Sequence, residues 1–178
     1  MIRFSWVLLM TLFLSSRAFA AQDSDTQRRL AGSPTITAAQ CWQLSQAANW
    51  QVREALAGNR KVPTALLDKL AGDPNQHVRI AVATNLATTE PTFRRLAHDP
   101  ATSVRSVVAR FEYVPVSVLV VLAQDKDADI RLEVARNLNA DKRILQILSR
   151  DPQPEVARTA SAALQRLGKE MGEPQIGG

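Results

Sequence analysis

One cysteine, one tyrosine and two histidines are all that 178 residues provide. A lone thiol, Cys41, cannot close an intramolecular disulfide, complete a cysteine zinc site or hold an iron–sulfur cluster. Between Gln40 and Trp42 it reads as a small buried apolar group, the alternative being an intermolecular disulfide. His77 and His98 lie twenty-one residues apart and neither belongs to an HExxH pattern, so they suggest neither a metal site nor a catalytic pair. Asp125, Asp127 and Asp129 alternate like the start of a calcium loop. Ile130 stands where that loop needs Gly, however, and Arg136 where it needs Glu, so these acids read as a solvated turn before a helix. No metal, cofactor or catalytic residue is therefore expected.

A block of one charge sign is also missing. Acids and bases alternate along a chain of net charge +5, and nothing resembles the basic stripe that a phosphate backbone requires. Nucleic acid is not an expected partner. The one long apolar run, Phe4 to Leu14, follows Met1-Ile2-Arg3 and precedes small residues at Ala18-Phe19-Ala20. It is too short to span a bilayer and reads as a secretory signal peptide, residues 1–20, cut before Ala21. The mature chain would keep twenty basic residues against seventeen acids, for a net charge of +3. The expected location is periplasmic or secreted, without membrane insertion after cleavage.

What the chain does have is a period. Val52, Val78, Val104, Ile130 and Val156 stand twenty-six residues apart, and Arg53, Arg79, Arg105 and Arg131 follow the first four. The same spacing carries Ala57, Ala83, Ala109 and Ala135, then Leu70, Leu96, Leu122 and Leu148, then Asp73, Asp99, Asp125 and Asp151. A strict period of this size means stacked units sharing one core. Each unit holds an anchor helix, apolar at i and i+4 as in Val78/Val82, and a shorter helix apolar at i and i+3 as in Phe93/Leu96. Pro63, Pro91, Pro115 or Asp141 opens the short helix. The Val-rich run from Val116 to Leu122 has strand propensity, but Leu119 and Leu122 fall in the helical columns and decide for helix. Residues 21–34 read as a flexible leader, 35–168 as the helical repeat domain and 169–178 as a disordered tail. The domain divides into a half-repeat cap, four full units and a C-terminal cap helix ending near Gly168.

The segment VRIAVATNLATTEPTFRRLAHDP, Val78 to Pro100, resembles the leucine-rich repeat variant family and its larger relatives, the HEAT-type repeats. The likeness extends from about Ala48 to Leu164. It implies an all-α, right-handed solenoid of short paired helices, with room for 3₁₀ geometry in the short ones. It also implies a scaffold that binds macromolecules and has no shared enzymatic activity. Founding members of the family carry a cysteine-ligated iron–sulfur cluster, which a chain with Cys41 alone cannot copy.

Two polar columns have structural explanations. Asp73, Asp99 and Asp125 each precede an Arg by six residues, so stacked units can tie turns to helices through charge-assisted hydrogen bonds. Asn59, Asn85 and Asn137 suit helix ends, where Asn tolerates the left-handed conformation, and can also bond along the stack. Phe111 interrupts the Asn column and Tyr113 follows it. A candidate partner face lies two residues past each anchor, about 200° from the core. It comprises Ile80, Ser106 and Leu132, flanked by His77, Arg110 and Arg136, with Phe111 and Tyr113 beside it. Arg110 and Arg136, one period apart, could clamp a carboxylate. The resulting expectation is a monomeric, exported scaffold for a protein partner, acting as an adaptor or an inhibitor. The rivals are a small-ligand protein or hydrolase using His77, and a structural spacer of an envelope complex.

Overall fold

The computed structural model describes residues 22–172; the expected signal peptide lies outside them, as do residues 173–178 of the expected tail. The anchor helices are α1 (Ser24–Ala31), α3 (Trp50–Ala57), α5 (Gln76–Ala83), α7 (Thr102–Arg110), α9 (Ala128–Arg136) and α11 (Pro154–Gly172). They alternate with the short α2 (Ala38–Leu44), α4 (Thr64–Leu70), α6 (Glu90–Leu96), α8 (Val116–Leu122) and α10 (Lys142–Leu148). No strand occurs among the described residues, and the Val-rich α8 is helical. The chain is an all-α repeat solenoid. Its anchor helices begin at Ser24, Trp50, Gln76, Thr102, Ala128 and Pro154, each twenty-six residues after the last.

The seam is apolar throughout. Val52, Val78, Val104, Ile130 and Val156 are buried, as are the residues four positions on. Each short helix buries an i, i+1, i+4 triplet, Leu66/Leu67/Leu70 in α4 and Ile144/Leu145/Leu148 in α10. That arc is the narrow face of an α-helix, and the short helices close their turns with i→i−4 bonds such as Leu67 N–H to Pro63 O, 3.1 Å. The 3₁₀ geometry that the resemblance allows is not used among the described residues. Short polar caps set the helix starts. Asn75 accepts from the His77 N–H, Asp127 from the Asp129 N–H and Asp141 from the Ile144 N–H. Neighbouring anchor helices pack side by side along the whole stack, while successive short helices stand further apart.

The leader departs from expectation. Residues 24–31 form α1, capped by Asp23 and packed on α3, with Ala31 fully buried. Ala31 stands one period before Ala57 and Leu30 one before Leu56, so the leader carries the anchor helix of a first complete unit. What looked like a half-unit cap, residues 36–49, is that unit's second half, with α2 closed by a Thr37–Gln40 capping box. At the other end α11 runs past Gly168 to Gly172. Gly168 stops nothing because no positive φ occurs among the described residues, while Leu164 and Leu167 still pack on the core.

Candidate interaction surface

The period also organises polar contacts. Arg79 donates from Nε to Asp99 at 2.6 Å and from a terminal nitrogen to the other carboxylate oxygen at 2.8 Å. Its remaining nitrogen donates to the Asp73 carbonyl at 2.8 Å. Arg53, Arg105 and Arg131 repeat this fork on Asp73, Asp125 and Asp151. Each arginine therefore pairs with the carboxylate twenty residues ahead and meets the aspartate six residues behind only through its backbone. The short helix turns the chain back, which brings the later Asp beneath the anchor helix.

These pairs are almost dry, with the aspartate side chains at most 7% exposed. Hydrogen bonds from the carboxylates raise all four guanidinium pKa values above the ordinary arginine range. The Arg131 fork holds the Asp151 carboxyl below its usual range. At Asp125 burial pushes upward, but bonds from Arg105 and the Asp127 N–H outweigh it and leave the carboxyl lowered. With their donors spent inside the stack, these arginines are structural.

The asparagines form a second ladder. Asn85 Nδ2 donates to the Ala57 and Asn59 carbonyls of the preceding unit at 2.7 and 3.1 Å, and its Oδ1 accepts from the Ala87 N–H at 2.9 Å. Asn59 reaches Ala31 and Ser33 in the same way, and Asn137 reaches Ala109 and Phe111. The left-handed conformation expected for these residues is absent among the described residues; their amides, not their backbones, do the work. The rung is missing at Phe111. Its ring leans on Phe93 at 5.9 Å and meets Tyr113 edge-on at 5.7 Å. A hollow of about 450 Å³ opens there, lined by Ile80, Thr84, Val107, Arg110, Phe111 and Glu112.

The structure gathers part of the expected face at this break. Ile80, Arg110 and Phe111 share the hollow, and exposed Tyr113 stands at its edge. Glu112, hydrogen-bonding the Tyr113 phenol, holds it above its ordinary value against a weaker pull from Arg60. Arg110 is exposed and has no ion-pair partner among the described residues. Ser106 is half-buried nearby on α7. His77 lies apart, in the first turn of α5, stacked on Trp50 at 5.0 Å, whereas Tyr113 follows the last turn of α7. Those two side chains do not form one site.

Two expectations need correction. Leu132 is only 8% exposed, because the anchor helices crowd together and even the residue opposite the core leans on its neighbours. Arg136 is engaged by Glu155 at 3.4 Å and Glu133 at 3.8 Å, so the two-arginine clamp reduces to Arg110.

A solved structure similar to this chain is a leucine-rich repeat variant with a novel repetitive protein structural motif. It is 22% identical with a TM-score of 0.39, over 91% of this chain and 73% of that one. No family model matches the chain, and no curated protein matches it.

Sequence reading missed the loop edge beside the hollow. Arg60, Leu86, Glu112 and Leu138 occupy one column at the tips between anchor and short helices. Leu86 and Leu138 are exposed, the latter by 83%. Two aliphatic residues in a column that is otherwise charged are the signal that marks them.

Proposed function

We propose that the chain is an exported helical-repeat scaffold of the leucine-rich repeat variant kind, built on a twenty-six-residue unit, that binds a protein partner and does no chemistry on it. The observation that carries this reading is the broken rung at Phe111. Everywhere else in its column, from Asn59 to Asn137, an amide serves the stack. At Phe111 an aromatic pair, an exposed tyrosine and an unpaired arginine take its place around a hollow. Tyr and Arg beside half-buried apolar groups are the composition of binding hot spots. A stack tied by two ladders presents them with little ordering entropy to lose. The apolar run after Arg3 supports export, and recognition or inhibition of an envelope protein follows as the role.

The test is a photo-crosslinking amino acid placed at Tyr113 in cells. One discrete protein adduct is expected, lost on Arg110→Glu with Phe111→Asn while the thermal midpoint stays within a few degrees. Diffuse labelling, or an adduct indifferent to the double change, would overturn the reading.

A further inference from the structure

Beyond the loop edge, the short helices carry a second departure from the repeat. On the outer face of α4, α6 and α10 the columns hold Asp68, Arg94 and Gln146, then Lys69, Arg95 and Ile147. In α8 both columns are valine, Val120 and Val121, and Val116 stands where the other units have Thr64, Glu90 and Lys142. Val116 is 39% exposed, Ile147 on α10 is 46% exposed, and Val120 and Val121 are half-buried. The core does not require them, since Val118, Leu119 and Leu122 already fill α8's buried triplet. β-branched residues on the open side of a helix lose rotamer freedom against the preceding turn, so the local helix is weaker for having them. Residues that disfavour their own helix and are spare to the core point to something outside the chain.

The rim shows what that is. On the α6 side the acids are occupied: Glu90 binds Arg94 and Ser117, and Asp68 faces Arg95. On the other side Lys142 and Arg143 open α10, exposed and without ion-pair partners among the described residues. Lys126 lines the cleft that holds Val120 and Val121, a space of about 580 Å³ also walled by Ala97, His98 and Pro100. Apolar groups beside unspent cations match an amphipathic segment whose flanks are acidic. A second copy of this chain fits poorly. A two-fold contact would set like cations against each other, and four aliphatic side chains fall short of the roughly 800 Å² per partner of a stable interface.

We propose that the outer face of α8 and α10 docks an acidic, amphipathic helix of a partner protein. This rests on the scaffold reading above and deepens it with a second contact point.

The test is selection of a charge-balanced, helix-biased peptide library on the whole chain, with each binder titrated afterwards. Enriched peptides are expected to carry aliphatic residues at i, i+3 or i+4, and i+7, between Asp and Glu. Val120→Gln with Val121→Arg restores residues found in neighbouring units and keeps the fold. It should weaken these peptides by about tenfold or more, the effect typical of losing interface anchors. Lys142→Glu with Arg143→Glu should weaken them too, and added salt should mimic that change. The Arg110→Glu and Phe111→Asn variant should bind them normally, so a failed Tyr113 crosslink and a failed selection are separable. Neutral or basic enriched peptides, or peptides indifferent to the valine changes, would overturn the proposal. So would anionic vesicles, or self-association in sedimentation, that depend on the valines in place of the peptides.

Discussion

At the scale of single residues the fold rests on polar groups that answer each other across units. Asp151 is nearly buried, and the Arg131 fork holds its carboxyl below the ordinary range. A carboxyl lowered by folding contributes its stability above the ordinary carboxylate range and loses it as pH falls through the folded value. Urea melts should therefore show the chain weakening below about pH 4. Asp151→Asn should cost about 3 kcal/mol at pH 7, because Arg131 is left without its carboxylate, and should flatten the acid limb. Asn85→Ala removes three hydrogen bonds at a 3% exposed position and should cost about 2 kcal/mol in the same assay. The Arg and Asp columns were legible in the chain, and so was their structural role. Which Asp meets which Arg was not, because the six-residue spacing suggests a local pair while the fold returns the chain twenty residues later. Arg136 shows the same limit, since the column predicts its exposure but not Glu155 reaching it from the next helix.

Among the elements, the interior helices could be read from periodicity and both ends could not. α1 escaped because Thr26 and Gln27 replace the anchor and its arginine, leaving only Leu30 and Ala31 in register. Its position matters for stability. Asn59 bonds to the Ala31 and Ser33 carbonyls, so removing residues 22–34 leaves that amide without acceptors and uncovers α3. Chain shortened to begin at residue 35 should lose about 2–4 kcal/mol in urea unfolding. An unchanged midpoint would show that α1 is an ornament. α8 carries the opposite lesson: its buried triplet was plain in the sequence, and its outward valines stood out as strand-like before their exposure gave them a meaning. In circular dichroism melts the Val120→Gln, Val121→Arg chain should keep or raise its midpoint, since both replacements are better helix formers.

For the whole molecule, stability is a sum of neighbour-to-neighbour terms, so the weakest junction decides how it opens. That junction lies between α5 and α7, where Phe111 omits the amide rung and the hollow opens. Native-state hydrogen exchange should resolve two cooperative blocks, α1–α6 and α7–α11, that separate before either melts. Exchange as a single unit would place the weak point elsewhere. The two ladders reach no further than the adjoining unit, and each unit offers the next the same carbonyls and carboxylates. Length is thus a free variable of this architecture. Splicing in a duplicate of residues 76–101 should give a taller molecule that folds without any repair, whereas an insert one residue longer or shorter should throw every rung above it out of step.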